Sequence, residues 1–199
     1  PIHEAFAEPL APGEAHRVVI NQEPPPPLDE VPPDYRPEGE NVQWIPGYWM
    51  WFEEKQDFIW VSGVWRAVPP GRFWTPGHWL EMADGYRWVG GYWSDAQQSV
   101  AEYLPVPPET LEQGPSSPPP SDHYFWVPGR SRWEDNRYSW RPGYWYTGQT
   151  NWLWVPDHYA YTPRGAVFVP GYWDYPVQAR GMLYAPVYWP EGRRYGANY

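Results

Sequence analysis

The side chains from which a reactive centre would be built are few, and they stand apart. The five histidines are His3, His16, His78, His123 and His158, and no two lie at metal-ligand spacing. His78 and His158 occupy the aromatic place before the closing ring of a repeated motif, where a flat imidazole substitutes for tyrosine. Paired carboxylates run glycoside hydrolysis when held about 5–9.5 Å apart across a cleft. The candidates, Glu53-Glu54 and Glu134-Asp135, fall in polar turns and are predicted to be solvated turn residues. With no cysteine in the chain, thiolate nucleophiles, thiolate metal sites and disulfides are excluded. No Gly-x-Ser-x-Gly elbow, phosphate loop, dinucleotide fingerprint or calcium loop occurs. The expectation is a non-enzyme with no catalytic residue, no metal and no cofactor.

The chain is instead rich in aromatic rings set at regular intervals. Its 199 residues include 17 Trp, 17 Tyr, 29 Pro and 18 Gly. A unit Trp-x-Pro-Gly-aromatic-Trp runs from Trp44 through Gly47 to Trp49, with copies Trp60–Gly63–Trp65, Trp74–Gly77–Trp79 and Trp88–Gly91–Trp93. It resumes at Trp126 with Gly129, then at Trp140 with Gly143 and Trp145. Trp154 opens a copy with Asp157 in the glycine place, Phe168 opens one with Gly171 and Trp173, and Tyr184 opens a last one ending at Trp189. Successive units start 14 or 16 residues apart within each run. Rings at such fixed places are read as packing, with an exposed aromatic platform as the functional alternative. Arg66, Arg72, Arg87, Arg132, Arg137 and Arg141 lie beside repeat aromatics, and planar guanidinium stacks on such faces.

Rings at this period need short strands to hold them. Proline at this level argues against long helices, since each interior proline removes a hydrogen bond and clashes with the turn before it. Proline presets φ for the first corner position, and glycine at the second would supply the positive φ of a type II turn. Two geometries fit. The corner closes a hairpin, so that the first and last tryptophan of one unit face each other, or it is a sharp bend that passes the chain between layers. Type II turns splay hairpin strands, which favours neither outright. The polar stretches Glu53–Gln56, Ala83-Asp84-Gly85, Asp135-Asn136 and Thr147-Gly148-Gln149 read as the other turns. A two-residue Asp135-Asn136 loop places Glu134 opposite Arg137 and Trp133 opposite Tyr138. The predicted fold is all-β, with short antiparallel strands in repeated Trp-rich hairpins, two small meander sheets and extended proline-rich arms.

Five segments follow from composition. Residues 1–43 are a proline-rich acidic arm, with nine acids against Arg17 and Arg36, and Arg17–Ile20 as a candidate edge strand. Residues 44–93 form a first Trp-repeat block, and 94–123 a proline-rich connector with one helical turn near Glu109–Glu112. Residues 124–189 form a second block and 190–199 a polar tail. The chain opens at Pro1 without a leader and reads as a processed product or a fragment of a longer precursor. A net charge of −10 argues against nucleic acid as a partner. No apolar run approaches the roughly 20 residues that span a bilayer.

These units resemble the bacterial YXWGXW, or WXXGXW, repeat proteins of planctomycete type. The resemblance covers roughly residues 44–189 and extends to the lead-in Pro24–Val42 and the connector around Gly114–Ser117. Departures are Ser131 in an aromatic place, and Asp157 and Val187 in glycine places. The resemblance implies a secreted or envelope-associated protein and supplies no catalytic residues. The expectation is therefore a structural or assembly protein of the cell envelope, an extracellular fibre or a matrix. Its partners would be further copies of itself or other envelope proteins, with residues 21–37 of one copy laid along the aromatic face of the next. The alternative is a carbohydrate-binding module that presents Trp and Tyr platforms to a polysaccharide.

Overall fold

The structure is a computed structural model and describes residues 19–39, 41–95, 101–180 and 183–184. Trp189, His3, His16 and the tail 190–199 lie outside the described residues. The described fold is all-β, built from short antiparallel pairs, as expected.

Strands come in groups of four. β1 (Val42–Ile45), β2 (Tyr48–Phe52), β3 (Asp57–Val61) and β4 (Val64–Ala67) form the first group. β2 pairs with β3 as a hairpin, and β1 pairs with β4 beyond it. The result is one long two-stranded ribbon, interrupted at its middle where Pro46-Gly47 lies opposite Ser62-Gly63. The second ribbon is β5 (Phe73–Thr75), β6 (His78–Met82), β7 (Gly85–Val89) and β8 (Tyr92–Ser94). The third is β9 (Tyr124–Val127), β10 (Arg130–Glu134), β11 (Arg137–Arg141) and β12 (Tyr144–Thr147). The fourth is β13 (Leu153–Val155), β14 (His158–Thr162), β15 (Gly165–Val169) and β16 (Tyr172–Asp174). In each, the inner strands pair with each other and the outer strands pair with each other. A short β17 (Leu183–Tyr184) adds to β4. The strands thus make one three-stranded and seven two-stranded sheets among the described residues, not two meanders. Every ladder stops at a corner pair, which keeps the sheets small.

The corner is therefore the bend and not the hairpin. Two sequence units make one ribbon, and the first tryptophan of one unit faces the last tryptophan of the other: Trp44 opposite Trp65, Trp49 opposite Trp60. The hairpin tips are polar. Asp135 and Asn136 both take positive φ (50° and 59°), as a tight two-residue tip requires, and the expected pairs Glu134–Arg137 and Trp133–Tyr138 form. In the second ribbon the tip residues are Ala83-Asp84, and Gly85 already pairs with Met82. Thr147-Gly148-Gln149 is no hairpin tip. It opens the connection between the third and fourth ribbons, where the Gly148 N–H donates to the His123 carbonyl (2.7 Å).

The described residues fall into two compact units, 19–24 with 68–180, and 25–67 with 183–184. In the larger unit, β7 and β8 pack against β14 and β15, around buried Val89, Tyr92, Val167 and Val169. The third ribbon meets the fourth through rings: Tyr146 packs on Trp154 (5.1 Å between centroids) and Phe125 on Trp173 (6.2 Å). Ser131 leaves an aromatic place empty opposite Trp140. Tyr159 of the fourth ribbon reaches into that neighbourhood and donates its hydroxyl to the Ser131 carbonyl (3.0 Å). A buried ion pair, Arg180 to Asp174 (3.0 Å), closes the end of this unit. The smaller unit is built on Val42, Phe58, Trp60 and Val64.

Candidate functional site: corners that hold a carboxylate

Tryptophan pairs with steeply inclined planes flank the corners, two pairs in each of the first two ribbons and one in each of the last two. Trp44–Trp65 and Trp49–Trp60 have centroids 5.5 and 5.2 Å apart with planes 67° and 71° apart. Trp74–Trp93 (5.0 Å), Trp79–Trp88 (5.4 Å), Trp126–Trp145 (5.4 Å) and Trp154–Trp173 (5.1 Å) repeat the arrangement. Four of the six are edge to face and two, Trp74–Trp93 and Trp79–Trp88, are tilted; edge-to-face pairs add about 0.5–1.5 kcal/mol beyond the area they bury. Trp140 faces Ser131, and Phe168 pairs with Tyr159.

The corner glycines are there for the indoles. Positive φ occurs at Gly39, Gly71, Gly85, Gly114 and Gly165, but at none of the corner glycines, so the type II expectation fails. A Cβ on Gly47, Gly63, Gly77, Gly91, Gly129 or Gly171 would instead lie 2.5–2.7 Å from the Cζ2 of a tryptophan on the paired strand. The Trp126 ring stands over Gly143 in the same way. Each indole thus lays its nitrogen-bearing edge over the opposite corner, because Cζ2 and Nε1 lie on that one edge. Asp157 is the exception among the described Pro-x corners. Opposite it the ring is Phe168, smaller than indole, which leaves room for a Cβ.

Backbone N–H groups and an indole N–H then converge on one point, a concavity suited to an anion. In the first ribbon that point is filled by Glu30. Its carboxylate accepts from Gly47 N (2.9 Å), Gly63 N (2.9 Å) and Trp60 Nε1 (2.7 Å). In the third ribbon Glu112 plays the same part. It accepts from Gly129 N, Trp126 Nε1 (3.0 Å) and, on its own segment, Gly114 N (2.8 Å). Burial opposes the Glu112 charge, but the bonds from Gly129, Trp126 and Gly114 outweigh it and hold the carboxyl below its ordinary value.

The segments that bring these carboxylates are the proline-rich lead-ins. Residues 22–39 form neither strand nor helix, and they lie on the ribbon of their own chain. Pro26 accepts from Trp49 Nε1 (2.9 Å), Pro33 accepts from Trp65 Nε1 (3.4 Å), and Arg36 sits over the Trp65 ring. Residues 109–112 are not helical, contrary to the expected turn. Ser117 accepts from Trp145 Nε1 (3.2 Å). Each lead-in is tied at a second place by a backbone bridge to a ribbon tip. Ile20 exchanges two hydrogen bonds with Tyr86 (2.9 and 2.8 Å), and Leu104 does so with Ala166 (2.8 and 2.9 Å). The candidate edge strand at Arg17–Ile20 thus has its described end, Ile20, on a strand edge.

Other nominated side chains have plain roles. Glu53 accepts from Trp51 Nε1 (2.8 Å), and Glu134 pairs with Arg141. His78 is exposed, while His158 is half-buried with Nδ1 2.9 Å from the Pro156 carbonyl, and burial lowers its pKa. Arg72 and Arg132 stack on Tyr172 (4.8 Å) and Phe168 (4.4 Å), whereas Arg87 pairs with Asp84 instead. Among the described residues no three His, Cys, Asp or Glu are grouped to hold a metal. None of the described helices is long and apolar enough to cross a membrane.

Sequence comparison locates the same ribbons. The WXXGXW repeat (2 copies) family matches residues 43–66, 73–94, 84–100, 123–146 and 150–173, together just over half of the 199 residues. Four of the five matches coincide within a few residues with the four ribbons. The two copies of the motif in each of those four matches are the two corners of one ribbon. No curated protein and no solved structure matches the chain.

Proposed function

The chain belongs to the WXXGXW repeat family, and on that premise we propose that it is a structural, self-associating protein of the cell envelope or of an extracellular matrix. Its ribbons serve as docks, and its acidic proline-rich segments serve as the pieces that fill them. The observation that carries this reading is the repeated capture of a lead-in glutamate, Glu30 or Glu112, by corner backbone N–H and one indole N–H. A latch made of backbone N–H groups and one carboxylate works equally within a chain or between chains. Exchange of residues 21–37 between copies would then link molecules head to tail, and such contacts build filaments when they do not close.

The carbohydrate-platform reading needs flat, exposed indoles, and the geometry favours it less. No described tryptophan is exposed, the paired rings are set edge to face, and several Nε1 groups are spent on the lead-ins.

Particle size tests the proposal. Light scattering and electron microscopy of the full chain are expected to give particles that grow with concentration. Deletion of residues 1–40, and separately Glu30→Gln in the full chain, are expected to shrink them. A monomer at every concentration, or particles indifferent to both changes, would reject assembly by arm exchange.

A further inference from the structure

The fourth ribbon has the same corner as the third but lacks the carboxylate. Trp154 lays Cζ2 2.5 Å from the Cβ position of Gly171, as Trp126 does over Gly143. In the third ribbon the neighbouring indole nitrogen donates to Glu112, which also accepts from Gly129 N. In the fourth, Trp154 Nε1 is buried and has no acceptor. An indole nitrogen can only donate, and buried donors are nearly always paired. The residue that corresponds to Gly129 is Asp157. Its own carboxylate does not serve Trp154, because it faces Arg130 (3.5 Å) and Arg132 (3.4 Å).

The surroundings favour an anion. Arg72 reaches this corner and donates through Nη2 to the Gly171 carbonyl (2.8 Å), while its Nη1 is buried without an acceptor. Arg72, Arg130 and Arg132 stand against Asp157 and Asp95, which leaves one positive charge uncompensated. Burial keeps the adjacent His158 from protonating readily. The ring partner across the corner is Phe168, so this corner offers one indole donor, as the third ribbon offers Trp126 alone to Glu112.

We infer that the fourth corner is a docking site for a glutamate on an extended, proline-flanked segment brought by another chain. The occupant is argued from the third ribbon, where Gly129 N and Trp126 Nε1, the counterparts of Asp157 N and Trp154 Nε1, seat Glu112, and from the first, where Glu30 sits on both corner N–H groups and Trp60 Nε1. The inference rests on the dock-and-latch reading above and adds the place where a second molecule engages. Trp154 Nε1 and the Asp157 N–H hold the carboxylate, and Arg72 supplies the opposing charge.

The test uses the full chain, labelled with 15N, and a synthetic peptide of residues 22–39. The indole N–H signal of Trp154 is assigned as the one missing in Trp154→Phe, with the other indole signals showing that the fold persists. Titration of the peptide is expected to move the Trp154 signal downfield in a saturable way. The Glu30→Gln peptide is expected to bind at least tenfold more weakly, and Arg72→Met in the protein to weaken binding several-fold. A Trp154 signal that does not move at millimolar peptide overturns the inference, as does equal movement with the Gln peptide. Equal movement with sodium acetate assigns the site to free anions and overturns the segment docking. Movement of the Trp60 or Trp126 signals in place of Trp154 overturns this site while leaving the latch reading standing. Failure of the particle-size test with a moving Trp154 signal would do the reverse.

Discussion

At the scale of the residue, the repeat is a steric contract between indole and glycine. A tryptophan edge and a β-carbon cannot occupy the same place, so each ring over a corner demands a residue without one. The two neighbouring glycines Gly90 and Gly91 separate this effect from backbone freedom. A Cβ on Gly91 meets Trp74 Cζ2 at 2.5 Å, whereas on Gly90 the nearest atom is Trp88 Nε1 at 4.0 Å. Gly91→Ala is expected to lower stability by about 1–3 kcal/mol through overpacking. Gly90→Ala should fall within about 0.5 kcal/mol of the parent. Chemical unfolding of the two variants decides it, and equal effects would contradict the steric account. The same contract explains Asp157, since among the described corners the one with a side chain faces the one smaller ring, Phe168.

At the scale of the element, a ribbon is two sequence units folded back on each other and closed at one end by a polar tip, and the first and third are latched in the middle by a carboxylate. The latch makes stability depend on acid. The Glu112 carboxyl titrates below its ordinary value when folded, so the unfolded chain binds protons first as pH falls. Its contribution is complete above the ordinary carboxylate range and disappears as pH falls through the lowered folded value. Glu112→Gln is expected to cost about 1 kcal/mol at neutral pH, the low end for bonds to a charge because the group is half-exposed. Below the ordinary carboxylate range that difference should shrink. Thermal unfolding midpoints of both proteins across acid pH check this, and a gap that widens in acid would contradict it.

Much of the element was legible beforehand and some was not. The Asp135-Asn136 tip announced its register, because few residue pairs tolerate two positive φ angles in succession. The corners did not, because Pro-Gly looks alike in a hairpin and in a bend. What decides is the partner strand, and Trp44 finds Trp65 on the far side of a whole hairpin. Thr147-Gly148-Gln149 misled for the same reason: a polar stretch serves as a tip or as a link between ribbons. Glu30 and Glu112 were hidden among many acids. One signal was available, since each precedes the first tryptophan of its ribbon, Trp44 or Trp126, by 14 residues.

At the scale of the whole molecule, the chain repeats itself beyond its motif. Ile20, Glu30 and the first two ribbons recur as Leu104, Glu112 and the last two, with Trp44, Glu30 and Tyr86 displaced by 82, 82 and 80 residues to Trp126, Glu112 and Ala166. Each copy has a lead-in bridged to the tip of its second ribbon and latched by a glutamate into its first. Composition marked the prolines of these lead-ins, but only the bonds give them an address. Indole pairs held 5.0–5.5 Å apart with planes 53–71° apart also have an optical consequence. Their transition dipoles are close enough to couple, so far-ultraviolet circular dichroism should carry an exciton couplet large enough to distort the strand signature. Heating should erase that couplet together with the corners, giving a built-in spectroscopic reporter of the folded repeat that needs no added dye.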